Sequence, residues 1–326
     1  KNKVRRSEDS YAKLVRSIKL HLSGLFEKNI SSNADVVRKY FNKAVELDPK
    51  EAHYWAEYAF FEESSGNREK AKKYFENSFQ IDGGNISGTY IGLSSALNVI
   101  INGGTIHGDE NALYLWGDGT TEINKGKLTN TGDFYTIANV GSGTVTVNNG
   151  EILGVGGILN KGTAKIIINN GTITTKNFHG IRNYTGTIEV NGGNINVVDW
   201  CDGIWTSSTG DIKVTGGTIT AGTNGVVTTG TGKITITGGV ITGYKGYAVA
   251  ELGPETSIIT IGNNEDTDIA NKTSPVLIGS IIGVKSSEST FNFYDGIIKA
   301  PEGKTISGSV INTPTGYRII NGTETI

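Results

Sequence analysis

The feature that most constrains the fold is a short glycine motif that returns about every 22 residues. It has the form of Ile101-Asn102-Gly103-Gly104-Thr105-Ile106, with an apolar residue three positions before the second glycine and another two positions after it. The second glycines are Gly84, Gly104, Gly126, Gly150, Gly171, Gly193, Gly217, Gly239 and Gly262. Ile, Val and Thr, which dominate the repeats, fit a pleated strand and are poor helix formers. The period therefore predicts a β-solenoid in which each repeat is one coil.

Three columns of residues recur at the same period and define the expected interior. The first apolar column is Ile81, Ile101, Ile123, Val147, Ile168, Val190, Val214, Ile236 and Ile259. The second is Leu113, Ile137, Ile158, Ile181, Ile204, Val226 and Val249, and a polar column two residues further on is Asn139, Asn160, Asn183, Thr206 and Thr228. The parity of a strand points all three columns inward, so we expect an apolar core with a stacked polar ladder. Nine or ten coils would extend about 45 Å.

The composition changes once, near residue 82. Only two of the 46 glycines, Gly24 and Gly66, precede that position. The earlier part carries apolar residues largely at helical spacing, first at Tyr11, Leu14, Val15, Ile18, Leu20, Leu22 and Leu25, and again at Val37, Tyr40, Phe41, Ala44 and Val45. We therefore predict an α-helical segment over 1–82 and a parallel β-helix over 83–326.

The helical segment contains the stretch VVRKYFNKAVELDPKEAHYW and a 34-residue self-similarity that pairs Val37 with Ala71 and Phe41 with Phe75. In these positions it resembles the tetratricopeptide repeat family, with the half-a-TPR variants as a close second. The match covers about one and a half repeats and departs from the family at Tyr58-Ala59. The resemblance implies antiparallel helix pairs whose concave side can hold a peptide, and a cytoplasmic location if this segment dominates.

The remainder carries repeated turns such as TGGTIT and TGGVITG and the closing segment FNFYDGIIKAPEGKTISGSVINTPTGY at 291–317. In these it resembles right-handed parallel β-helix proteins, and more narrowly the adhesin-like surface proteins of gut-type Gram-positive bacteria. The resemblance implies a secreted or surface-displayed rod at an extracellular or cell-surface location. It transfers no catalytic residues.

Composition excludes several functional classes. A formal net charge of -2 argues against nucleic acid as a partner, and no apolar stretch is long enough for a membrane span. The single cysteine, Cys201, has no partner thiol and is expected to be inert, and no metal or cofactor motif is present. Because the chain begins at Lys1 and contains no methionine, we expect a processed product or a fragment.

One cluster of residues could carry chemistry. Lys176, His179 and Arg182 lie in one coil. Asp199, Asp202 and Trp205, in that order, lie 23 residues after them. Each pair is therefore expected to stack on the outer surface of adjacent coils. Trp200 and Tyr184, with Phe178, would supply a platform for sugar rings.

We favour a non-enzymatic binding or adhesion rod whose partner is a polysaccharide or a host or cell-surface protein. The alternative is a polysaccharide lyase or glycoside hydrolase in which Asp202 or a basic residue transfers protons. A second alternative is a protein-interaction scaffold that works through the tetratricopeptide-like segment. The same residues could also be structural, as opposite charges and a cation–π contact between neighbouring strands. The sequence leaves the oligomeric state open.

Overall fold

The computed structural model is a mainly β structure in which the glycine repeats form a parallel β-solenoid. It describes residues 34–47, 58, 61–62, 65–67, 70, 80–207, 209–263, 274–280, 289–299 and 311–312. The chain divides into two compact units, Lys1–Gln80 with Leu97–Ile100 and Ile81–Ala96 with Ile101–Ile326. The predicted fold class is confirmed for the second unit.

Three parallel sheets form the sides of the solenoid, and successive strands of one coil belong to successive sheets. The first sheet contains β1 (Gln80–Ile81), β4 (Val99–Ile101), β7 (Thr121–Ile123), β10 (Val145–Val147), β13 (Lys165–Ile168), β16 (Thr187–Val190), β19 (Ile212–Val214), β22 (Ile234–Ile236), β25 (Ile258–Ile261), β27 (Thr290–Phe293) and β29 (Ile311–Asn312). The second contains β2 (Asn85–Gly88), β5 (Thr105–Gly108), β8 (Lys127–Asn130), β11 (Glu151–Gly154), β14 (Thr172–Thr175), β17 (Asn194–Val197), β20 (Thr218–Ala221), β23 (Val240–Tyr247), β26 (Val276–Ser280) and β28 (Ile297–Lys299). The third contains β3 (Ile91–Ser95), β6 (Asn111–Leu115), β9 (Tyr135–Asn139), β12 (Gly156–Asn160), β15 (Ile181–Asn183), β18 (Ile204–Thr206), β21 (Val226–Thr228) and β24 (Val249–Glu251).

The register of the sheets confirms the predicted apolar columns, with one correction. The second column pairs residue by residue from Leu113 to Val249, and all of its members are fully buried. In the first column, however, Ile236 pairs with Ile261 and not with Ile259. Ile259 is also buried, but it pairs with Ile234. The assignment of Ile259 was wrong because Gly262 directly follows the column residue in this coil, whereas the earlier glycines follow it by three positions.

The predicted polar ladder is also present inside the solenoid. Asn139, Asn160, Asn183, Thr206 and Thr228 are aligned by the register and have at most 1% of their surface exposed. The Asn160 amide donates to Asn183 Oδ1 over 2.7 Å, and the Asn183 amide donates to Thr206 Oγ1 over 3.3 Å. Asn139 instead bonds within its own turn, to the carbonyl of Gly143. These bonds offset part of the cost of burying polar groups in an otherwise apolar interior, although Asn160 Oδ1 is buried without a hydrogen-bond partner.

The corner after the first sheet depends on glycine and on a second ladder that the sequence analysis did not predict. The second glycine of each repeat motif has a positive φ, for example 79° at Gly193. Residues with a side chain adopt this conformation only at a cost in free energy. Beside these glycines, one half-buried or exposed side chain per coil bonds to the side chain of the coil before it over 2.8–3.0 Å. The members are Asp82, Asn102, Asn124, Asn148, Asn169, Asn191 and Thr215.

In the first unit, the structure gives the bounds of one helix, α1 (Ala34–Leu47), and Tyr58, Phe61 and Glu62 are also helical. The helix buries Phe41 and Val37 against Tyr58 and Phe61, and the Phe41 and Tyr58 rings stack at 5.3 Å. An ion pair between Arg38 and Glu62, 2.8 Å long, flanks this cluster.

This arrangement confirms a helix where the second helical pattern predicted one. The tetratricopeptide resemblance is supported only to that extent. The first helical pattern, from Tyr11 to Leu25, and the landmark residues Pro49, Trp55, Ala71 and Phe75 lie outside the described residues.

Adjacent residues of β20 offer a direct test of the alternation between the two faces of a strand. Ile219 is fully buried, and Thr218 is exposed. We expect Ile219→Asp to destabilise the solenoid by about 4 kcal/mol or more, because it buries an unpaired carboxylate. The matched variant Thr218→Asp should change the free energy of unfolding by about 0.5 kcal/mol or less. Urea denaturation followed by circular dichroism measures both, and equal effects would contradict the assigned faces.

Candidate functional site

The predicted site residues belong to two adjacent coils, at the turn from the second sheet to the third. In one coil, Lys176, Asn177, Phe178 and His179 follow β14 and lead into β15. In the next, the segment 198–203 follows β17 and leads into β18. Backbone hydrogen bonds from Asp199 N to Lys176 O and from Gly180 N to Asp202 O hold the two turns together. Residues 23 positions apart therefore lie side by side, as predicted.

Arg182 and Trp205 form the centre of an aromatic cluster on the outer surface of the third sheet. They are paired by the register of β15 and β18, and the Arg182 guanidinium lies 5.0 Å from the Trp205 ring centroid and 5.2 Å from that of Tyr184. The His179 ring stacks on Trp205 at 5.8 Å, and Tyr184 meets Trp205 edge-on at the same distance. The predicted contact between Arg182 and Trp205 is a cation–π interaction, as expected for this geometry.

His179 and Asp202 lie beneath this cluster and are mostly buried. The Asp202 backbone N–H donates to His179 Nδ1 over 3.3 Å, so that nitrogen holds a lone pair. The Asp202 carboxylate lies 3.5 Å from the same nitrogen, and its Oδ1 accepts from both the backbone and the side-chain amide of Asn224 in the following coil. Burial lowers the pKa of His179, the Asp202 carboxylate opposes this, and Arg182 adds to it. Asp202 therefore ties three coils together, because its backbone N–H donates to His179 and its carboxylate accepts from Asn224.

Lys176 and Asp199 are neighbours in the backbone, but their side chains do not interact as expected. Both are exposed, and no ion pair joins them in the part of the chain that the structure describes. The side chains of His179 and Asp202 are thus in contact, whereas those of Lys176 and Asp199 are not. An exposed pair gains little over the hydration of its separate charges, which explains why the side chains stay apart.

Trp200 is the most exposed of the large apolar side chains among the described residues. Its indole ring is contacted by the Lys245 ammonium, which lies 2.8 Å from the ring centroid. Lys245 comes from two coils further on, and its backbone N–H bonds to Gly222 of the intervening coil. Sequence reasoning missed Lys245 because it compared adjacent coils only. The sequence signal that could have revealed this contact is a small residue in the intervening coil, with large residues one coil before it and one coil after it.

The same device brings Tyr135 and Phe178 together. Their rings stack at 5.6 Å although a whole coil separates them. Gly156 occupies the intervening position, where a Cβ would come within 2.8 Å of the Tyr135 ring and 3.1 Å of Phe178 Cβ. The absence of a side chain at Gly156 therefore permits the aromatic cluster to extend across a third coil. Burial raises the pKa of Tyr135 far above its usual range, so its hydroxyl stays protonated.

The Cys201 thiol, the remaining potential nucleophile near the site, is not activated. The Cys201 thiol donates to the Asn177 carbonyl over 3.0 Å, and burial, with the Asp202 carboxylate, raises its pKa. A thiol in that state is a poor nucleophile, as the sequence analysis expected. Within the described ranges, no group of three or more His, Cys, Asp or Glu side chains is placed to hold a metal ion. No helix in those ranges has the length and apolarity needed to cross a membrane.

Comparison with known proteins adds no functional information. No protein-family model matches the chain, and no match was found among curated proteins or solved structures. The resemblances to tetratricopeptide proteins and to adhesin-like surface proteins therefore stay predictions. Any functional argument depends on the geometry of the site.

His179 generates a testable pH dependence. Because its pKa is lower in the folded state, the unfolded chain takes up a proton first as the pH falls through about 6.5, and stability is lost in that direction. We expect His179→Asn, which keeps an acceptor and cannot titrate, to lose less stability between about pH 7.5 and about pH 5.5 than the wild type does. Urea midpoints at the two pH values measure this difference. His107→Asn, which changes a histidine outside the cluster, is the control. If both variants reduced the pH-dependent loss of stability by the same amount, the assignment to His179 would be contradicted.

Proposed function

We propose that this chain is a non-enzymatic binding or adhesion solenoid whose ligand is a glycan. The observation that carries the proposal is the Trp200 ring, 72% exposed and contacted by Lys245. The exposed part of the ring offers a flat apolar surface, and the C–H faces of sugar rings fit flat aromatic surfaces. The neighbouring cluster of Trp205, Tyr184 and Arg182 supplies a rigid wall with polar edges that can bond to hydroxyl groups.

The environment of the carboxylates favours binding over glycan cleavage. Hydrolysis of a glycosidic bond usually needs two carboxyl groups that flank the bond, one of them able to act as an acid. Asp202 accepts two bonds from Asn224 and is mostly buried, while Asp199 is exposed on the surface. The lyase or glycosidase alternative therefore has less support than binding.

The proposal places the protein outside the cell or at a bacterial cell surface, in keeping with its resemblance to adhesin-like rods. A host or cell-surface protein partner is the nearest variant, since the same exposed aromatic residue could anchor a protein. The tetratricopeptide-mediated scaffold rests chiefly on residues outside the described part of the chain. No described contact favours it over glycan binding.

Two exposed tryptophans provide a matched test. Trp116 is 55% exposed and lies on the turn from the third sheet to the first, away from the cluster. We expect Trp200→Ala to weaken retention on a polysaccharide column by about tenfold, and Trp116→Ala to leave retention unchanged. The panel should contain arabinoxylan, mixed-linkage β-glucan, galactomannan, polygalacturonate and heparin.

The same incubations separate binding from catalysis. Reducing and unsaturated ends should not increase when the wild type is incubated with any member of the panel. Release that disappears in Asp202→Asn would replace the proposal with the enzymatic alternative. A protein that is neither retained nor active would overturn glycan binding altogether.

A further inference from the structure

The exposed apolar side chains of the solenoid are concentrated on one line. Of seven large apolar side chains that are exposed in the described residues, four belong to the segments that lead from the second sheet to the third, and a fifth lies near the end of β23, where the second sheet turns toward the third. They are Tyr90, Phe134, Val198, Trp200 and Tyr244. Tyr90 is 67%, Phe134 48% and Tyr244 69% exposed. The other two, Trp116 and Ile258, lie elsewhere. The exposed large apolar side chains are therefore concentrated at one corner of the coil, between the second sheet and the third.

Backbone hydrogen bonds connect the turns that carry these residues from one coil to the next along the solenoid axis. Bonds run from Glu110 N to Tyr90 O, from Gly156 N to Phe134 O and from Thr223 N to Cys201 O, with others between the remaining coils. Tyr90 and Phe134 are thereby two coils apart, Phe134 and Trp200 three, and Trp200 and Tyr244 two. At the inter-strand spacing of about 4.8 Å, the four rings span about 34 Å. We call Tyr90, Phe134, Trp200 and Tyr244 the aromatic edge.

We propose that the aromatic edge binds an extended, neutral polysaccharide that runs parallel to the solenoid axis. The inference rests on the proposed function and names its ligand class and orientation. Platforms two or three coils apart suit an extended β-linked chain, because each sugar advances by nearly one coil spacing. The rings would then stack on every second or third sugar. In the intervening coils, small or polar residues such as Asp109 and Thr223 lie between the rings.

The charge of the same turns favours a neutral chain over an acidic one. Five acidic residues lie along the turns, Asp109, Glu110, Asp133, Asp199 and the mostly buried Asp202, against Lys176 and, near the end of β23, Lys245. This excess of negative charge would repel uronate or sulfate groups spaced regularly along a polymer. The gaps between the rings also argue against a lipid surface, which would need a continuous apolar face.

Ligands of different length test the inference on the full chain. We expect arabinoxylan, mixed-linkage β-glucan or galactomannan to bind at least about tenfold more tightly than its own trisaccharide, because only the polymer reaches several platforms. Tyr90→Ala and Tyr244→Ala, at opposite ends of the edge, should each weaken binding of that polymer by about fivefold or more. Binding of the trisaccharide at Trp200 should be unaffected by either variant. Trp116→Ala is again the control, and circular dichroism verifies that each variant is folded.

The outcomes distinguish the inference from the function on which it rests. If a neutral polymer is retained and only Trp200→Ala weakens its binding, glycan binding stands and the axial edge is wrong. Retention of polygalacturonate or heparin alone would overturn the neutral ligand class. If nothing in the panel is retained by the wild type, both the proposed function and the edge are wrong.

Discussion

Parallel pairing between successive coils is the constraint on which the rest of the structure depends. Because each strand bonds to the strand of the next coil, a residue is held beside its equivalents about 22 positions earlier and later. One position in the repeat thus becomes a column, and its character is repeated along the axis. An inward column must be apolar or must bond to itself, as Ile181 and Asn183 do in β15. An outward column can vary from coil to coil, and the candidate site consists of residues at such outward positions.

The same constraint explains how residues distant in sequence form the site. Trp205 meets Arg182 because the register of β15 and β18 aligns them, and Asp202 reaches both His179 and Asn224 because it lies in the middle coil of three. Glycine and other small residues add a second level of contact. Where the middle coil carries Gly156, the aromatic rings of its neighbours stack directly. Function on such a scaffold therefore depends on which outward positions carry large side chains and which carry glycine or another small residue.

Much of the fold could be predicted from sequence because columns leave a periodic signal. The inward columns, the glycine corners and the contact of Arg182 with Trp205 all follow from spacing alone. The ninth repeat was misaligned because Gly262 lies next to Ile261, so glycine spacing no longer reports the register. Lys245 and Tyr135 were missed because their partners are two coils away, and a side chain's reach across a coil depends on the size of the residue between. Exposure, which singles out Trp200 over Trp205, depends on packing that no pattern records.

A crystal structure of the chain with a neutral oligosaccharide of about eight sugars would test the central claim most directly, since that length matches the aromatic edge at about one sugar per coil. The account predicts sugar rings stacked on Trp200, with the chain extending along the solenoid axis toward Phe134 and Tyr244. Sugar bound on the outer face of the second sheet, or across the coils at a single point, would contradict it. So would a crystal grown at saturating ligand in which the Trp200 ring carries no sugar.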